Sequence, residues 1–123
     1  MEITYREADA SDFTTTRVLV ATKGILVIGF ATWDDISKTL EMVRVAEMFQ
    51  RQGHGIELVR RADEMAGCLL KDTGDRSPEG TKLLKSMGRP LTRIKSRINP
   101  KSCGMIMMFQ LQARHEEGEL VFK

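Results

Sequence analysis

The stretch "EMFQRQGHGIELVRRADEM", residues 47–65, sets Gln50, Gly53 and Gly55 immediately ahead of an amphipathic run. A glycine costs about 1 kcal/mol against alanine inside a helix, so two of them at a helix start mark a need for bare backbone. Anion binding is the chemistry that uses such a loop. Amides at a helix N-terminus have no intrahelical acceptor, the helix dipole adds positive potential, and a missing side chain lets phosphate oxygens come close. The spacing excludes two common phosphate loops. A dinucleotide fingerprint needs a third glycine where Leu58 stands, and a nucleoside-triphosphate loop needs a Gly-Lys-Ser/Thr ending. His54, between the glycines, offers such a loop its amide rather than its ring. Cys68, Cys103 and His115 show no metal spacing, so no metal is expected. Met105, Met107 and Met108 read as filling for a core or an interface.

The elements that must position this loop follow from periodicity. "ITYREA" alternates and predicts a first strand with Ile3 and Tyr5 on one face. "RVLVAT" and "ILVIGFATW" predict a hairpin turning at Lys23-Gly24. "TLEMVRV" predicts a strand leading into the loop, with Leu40 and Met42 on one face and Glu41, Val43 and Val45 on the other. After the glycines, Ile56, Leu58, Val59, Ala62, Met65 and Ala66 form a helical stripe with Asp63 outside it, stopped at Gly67. "CLLKDTG" predicts a short strand. "SPEGTKLLKSMG" predicts a second helix capped by Ser77, with Pro78 at its first position and Gly88 at its end. "RPLTRIKSRI" and "CGMIMMFQLQA" read as strands, and "GELVFK" as a last one. The class is mixed α/β, in one domain over residues 1–123.

Bulk properties narrow the setting. The 123 residues, 41% hydrophobic and 29% charged, suit a single globular domain. No apolar run approaches the roughly 18 residues of a membrane span. The polar amino terminus is not a secretory signal, and two cysteines make no disulfide framework, so a reducing, cytoplasmic setting is expected. From Gly80 to His115 stand eight basic residues and no acidic one, while the remaining eleven basic residues face all seventeen acidic ones. Such polarity marks an anionic ligand or partner near the basic part, or a solvated face.

Gln50-x-x-Gly53-x-Gly55 resembles the Gln/Arg-x-x-Gly-x-Gly/Ala motif of the GNAT (GCN5-related N-acetyltransferase) superfamily, and about 75 residues around it follow that family's order of elements. The resemblance implies a GNAT-like central mixed sheet flanked by helices, with acetyl-coenzyme A, or another acyl-coenzyme A, as cofactor. It implies that the amides of Arg51, Gln52, Gly53, His54 and Gly55 cradle the pyrophosphate. The backbone at Val43 and Val45 would pair with the pantetheine arm as an added strand, where the family bulges strand 4 and splays it from strand 5. Gln50, Arg51, Ser77, Lys82 and Lys85 would stand near the phosphates, the lysines reading equally as a solvated helix face. Amine acylation needs a base to take the ammonium proton. Glu41, on the strand where several family members carry a glutamate, is the first candidate, and Glu47 the second.

Two departures stand out. The nine residues "ADASDFTTT" leave no room for the family's usual two helices between strands 1 and 2, and Leu84 occupies the position of the helix 4 tyrosine that protonates the leaving thiolate. The expected function is acyl-coenzyme A-dependent N-acyl transfer to an amine acceptor, small molecule or protein. The alternative is a degenerate relative that binds coenzyme A or a partner protein and regulates. A third reading is a nucleic-acid module using the basic segment, which lacks interleaved aromatics for base stacking. "MIMMF", read as a strand buried on both faces, implies a homodimer through residues 103–123.

Overall fold

The computed structural model describes residues 2–9, 15–72, 78–89 and 100–123. Strands β1 (Thr4–Ala8), β2 (Thr16–Lys23), β3 (Leu26–Asp34), β4 (Thr39–Val45) and β5 (Lys71–Asp72) form one sheet in chain order. The first four are antiparallel neighbours, and β4 and β5 run parallel. Parallel neighbours require a crossover, and α1 (His54–Ala66) supplies it. A mixed α/β architecture is the result.

β2 and β3 carry near-continuous apolar sequence because both of their faces are covered. On one face Leu19, Ala21, Ile28, Ala31 and Trp33 meet Leu58, Val59, Ala62 and Ala66 of α1 and Leu84 of α2 (Pro78–Ser86). On the other, Val18, Val20, Val27 and Phe30 lie under Met107, Met108 and Leu111 of α3 (Pro100–Glu116). Burying each large aliphatic side chain contributes about 1.5–3 kcal/mol, so the two layers together fix the sheet between them. Gly29 leaves room for the neighbouring strand: a Cβ there would lie 2.8 Å from the Arg44 carbonyl oxygen of β4 and 3.1 Å from the tip of Leu58 on α1.

Two register shifts shape the sheet, and the second matters for the site. Trp33 pairs with Leu40 and Thr32 with Met42, which leaves Glu41 as the extra residue of a bulge. The bulge flips the facing of β4. Leu40, Val43 and Val45 join the α1 layer while Met42 joins the α3 layer, so the expected pairing of Leu40 with Met42 is corrected.

Several other expectations change. The hairpin loop is Gly24–Ile25, since Lys23 pairs with Leu26, and Gly24 takes φ 61. Among the described residues "CLLKDTG" supplies the two residues of β5, and Leu69 is exposed. Asp63, placed outside the α1 stripe by sequence, is buried: its carboxylate ion-pairs with Arg89 and accepts the Leu70 amide at 3.0 Å. "CGMIMMFQLQA" is not a strand but most of α3. Met, Gln, Leu, Ala and Arg are good helix formers, and Pro100 stands at the first helical position. "GELVFK" contributes a single bridge, Ala8 to Phe122, at the free edge of β1. "RPLTRIKSRI" and Ser77 lie outside the described residues, apart from Arg89. No described helix is long and apolar enough to cross a membrane.

Candidate functional site

β4 leads directly into the loop. The Ala46 amide donates to the Ile28 carbonyl at 2.7 Å, which fixes the antiparallel phase. By alternation Arg44 and Met42 direct their backbone groups to β3, and Val43 and Val45 direct theirs outward. The Val45 carbonyl bears this out, accepting Gln50 Nε2 at 3.0 Å from outside the β3–β4 ladder. Among the described residues β5 pairs with β4 at Thr39–Lys71 and Leu40–Asp72. Beyond those pairs the outward edge of β4, from the Glu41 bulge to Val45, runs without a β5 partner among the described residues.

A single 3₁₀ turn, Glu47–Phe49, and the loop 50–53 then turn the chain into α1. Arg51 and Gly53 both take left-handed backbone, φ 63 and φ 85. Gly53 is the residue before the helix, and a Cβ there would meet nothing within 4 Å, so its requirement is conformational rather than steric. Gly55 is the reverse case. It lies inside the first turn, and its Cβ position sits 3.4 Å from Leu83 Cδ2 and 3.8 Å from Val45 Cγ2, an ordinary contact. Leu83 of α2 thus packs beside the start of α1 with room left for a methyl group at Gly55. The first α1 amide bonded to backbone is that of Glu57, to Gly53 O at 3.1 Å. The amides of Arg51, Gln52, Gly53, His54 and Gly55 make no backbone hydrogen bond among the described residues and lie at the start of α1, the positive end of its dipole.

The side chains of this loop are busy with one another. Gln52 Nε2 donates to Met48 O at 3.4 Å, and its Oε1 lies 3.4 Å from His54 Nε2. His54 Nδ1 meets the Tyr5 hydroxyl at 3.0 Å, across to the edge strand β1, while the Arg61 guanidinium lies over the Tyr5 ring. His54 thus turns its ring toward β1, away from the open edge of β4, and leaves its amide to the loop. Sequence reasoning missed this contact, whose only signal was the facing of Tyr5 on β1. Burial, with the charge of Glu57, raises the Tyr5 hydroxyl above its ordinary pKa against the opposing Arg61. Lys82 is exposed on α2, one residue before the Leu83 that packs on Gly55. Its helix face therefore borders the loop.

The two carboxylate candidates differ. Glu47 is exposed at the start of the 3₁₀ turn, at the loop end of β4. Glu41 stands at the bulge, four residues before Val45 and so about 13 Å back along the strand. Burial raises its pKa, and the nearby Asp34 carboxylate raises it further, against a hydrogen bond from the Thr16 hydroxyl. Asp34 itself is held below the ordinary carboxylate range by the hydroxyl and amide of Ser37, at 2.5 and 3.1 Å. Two carboxylates of unlike pKa thus share one end of the sheet, beside the first residue of β2. The structure brings together the Val43–Val45 edge, the Arg51–Gly55 amides and Gln50. It places Glu41 at the far end of the same strand.

No protein-family model matches the chain, and no curated protein matches it. Among solved structures, an integron cassette protein from the mobile metagenome of V. cholerae aligns over 81% of this chain and 70% of its own, at 18% identity and a TM-score of 0.49. A likeness of that degree says nothing of what this chain binds.

Proposed function

We propose that this protein is an acyl-coenzyme A-dependent N-acyltransferase whose cofactor lies along the outer edge of β4. One observation carries the reading: outward-facing backbone at Val43 and Val45 that has no strand partner among the described residues and runs into a loop whose amides make no backbone hydrogen bond among them. The residues fit the group. A pantetheine arm, with its amides, adds to the edge as a strand would, using the Val43 backbone and the Val45 amide, while Gln50 holds the Val45 carbonyl. The pyrophosphate meets the Arg51–Gly55 amides, and the exposed Arg51 and Lys82 lie beside it.

Extended along β4, the arm carries the thioester toward the Glu41 bulge. There the Glu41 carboxylate, its pKa raised by desolvation and by Asp34, would take the proton of the incoming ammonium. The neutral amine could then attack the thioester that acyl-coenzyme A would supply, forming the N–C bond as the C–S bond breaks, with the second nitrogen proton passing through water to the departing thiolate. Glu41 adjoins Thr16, the first residue of β2, and the short β1–β2 connection leaves no room in sequence for helices that would wall off the acceptor. The acidic pair Asp34 and Glu41 favours a cationic one.

A second reading, coenzyme A binding without catalysis, has its own observation. Leu84, at the position where the acid would stand, is buried in the core, and Tyr5 is committed to His54. Calorimetry with acetyl-coenzyme A tests the common ground. The wild-type chain and Gly55→Ala should bind, and Gly55→Glu, which places a carboxylate against the pyrophosphate, should not. Equal affinity in Gly55→Glu would remove the phosphate site, and binding without turnover of any amine would leave the second reading.

A further inference from the structure

The amides of Arg51 to Gly55 have no backbone partner among the described residues, so a backbone ladder does not set the shape of this loop. Side chains do, and the direction of their hydrogen bonds follows from one end. The Met48 carbonyl can only accept, so the Gln52 amide nitrogen stands toward it, at 3.4 Å. Gln52 Oε1 therefore faces His54 Nε2, also at 3.4 Å, and a carbonyl oxygen there calls for the proton on that nitrogen. In the neutral ring Nδ1 is then the acceptor, and the Tyr5 hydroxyl, 3.0 Å away, donates to it. Tyr5 keeps the proton it donates: burial and the Glu57 carboxylate hold its pKa above the ordinary value, against the Arg61 guanidinium over its ring. Phe49 meets the same imidazole edge to face, with ring centroids 6.4 Å apart.

One directed chain, from Tyr5 to His54 to Gln52 to Met48, thus straps the loop from the 3₁₀ turn to the first residue of α1, and its far end is fixed in β1. We propose that Tyr5 is a positioning residue for this loop: acting through His54, its hydroxyl holds the Arg51–Gly55 amides in the arrangement that receives an anion. The proposal rests on the reading of the loop as a phosphate site, and it adds a residue 49 positions away in sequence. Amides fixed before binding have less freedom to lose when the anion arrives, so the strap raises affinity without touching the ligand.

Calorimetry with inorganic pyrophosphate and with coenzyme A, beside backbone-amide NMR relaxation on the unliganded chain, tests this. Tyr5→Phe keeps the ring under Arg61 and removes the hydroxyl alone. It should weaken both probes about two- to tenfold, the range of one net hydrogen bond, and lower the order parameters of Gln52 to Gly55 while β2 and β3 keep theirs. His54→Leu should weaken them at least as much, and the double substitution no further, since Tyr5 acts through His54. Should His54→Leu fail to fold, His54→Ala completes the cycle. Wild-type affinity in Tyr5→Phe, or a loop no looser, overturns the positioning role and leaves the acyltransferase reading standing. A double substitution whose effects add does the same. A wild type that binds neither probe overturns both.

Discussion

The residues of the loop separate two reasons for a glycine that the sequence presents identically. Gly53 is needed for its left-handed backbone, where an L side chain costs about 1–2 kcal/mol, whereas Gly55 sits in ordinary helix with room for a methyl group. Urea unfolding should therefore show Gly53→Ala destabilised by about 1–2 kcal/mol and Gly55→Ala within a few tenths of wild type or slightly above it. Glu41 carries a second residue-scale prediction. Its raised pKa means that folding favours the neutral acid, so its contribution is greatest below the unfolded-state value and is lost as pH rises through the folded one. Glu41→Gln should then leave stability at neutral pH equal or higher. In acyl transfer the wild-type rate should climb as pH passes the raised pKa and the Glu41→Gln rate should lose that limb, recovering only where the amine is already neutral. A pH–rate profile unchanged by the substitution would reduce Glu41 to a surface carboxylate.

At the scale of elements, the junctions hold what local pattern could not reveal. Asp63 and Arg89 tie the end of α1 to the segment leading into β5 and to the end of α2. Arg89 also donates to Leu70 O at 3.1 Å, and burial pulls its guanidinium below its usual pKa. Removing one partner strands a buried charge. Asp63→Ala should cost about 3–5 kcal/mol by chemical denaturation, and Asp63→Leu with Arg89→Met should recover most of it. Gly29→Ala, which drives a methyl group onto the Arg44 carbonyl, should cost about 1–3 kcal/mol in the same assay. The strands β1 to β4, α1 and α2 were legible in sequence because each carries a clean period and its own punctuation. α3 was not, since apolar residues on both of its sides erase the helical period and "MIMMF" then imitates a buried strand; Pro100 and Gly118 were the overlooked marks of its ends. Asp63 misled for a related reason. Its helical phase lies between stripe and surface, and only the return of Arg89 from 26 residues on makes its burial tolerable. The bulge at Glu41 left no mark in sequence, because an extra residue in a strand preserves composition while inverting every facing after it.

At the scale of the whole molecule, the two edges of the sheet differ among the described residues. The β1 edge is closed by the carboxy terminus: Asp9 N donates to Val121 O at 2.7 Å, Lys123 N donates to Glu7 O at 2.9 Å, and Glu7 takes both Arg17 and Lys123 on its carboxylate. Burial opposes the charge on Glu7, but hydrogen bonds from Arg17 and Lys123 outweigh it and hold its pKa below the ordinary range. A lowered folded-state pKa stabilises above the unfolded value and is lost as pH falls through the folded one. Thermal melts should therefore lose stability below about pH 4.5, and Glu7→Gln, less stable than wild type at neutral pH, should lose less there. On the opposite side, β4 beyond Leu40 has no strand partner among the described residues, and the proposed function depends on that asymmetry. The most direct test is a backbone-amide NMR titration with coenzyme A. The amides of Val43, Val45 and Arg51 to Gly55 should shift together and saturate at one affinity, while those of β1 and α3 stay in place. Saturating shifts confined to other elements, or none at millimolar coenzyme A, would contradict the placement of the cofactor on β4 and with it the acyltransferase reading.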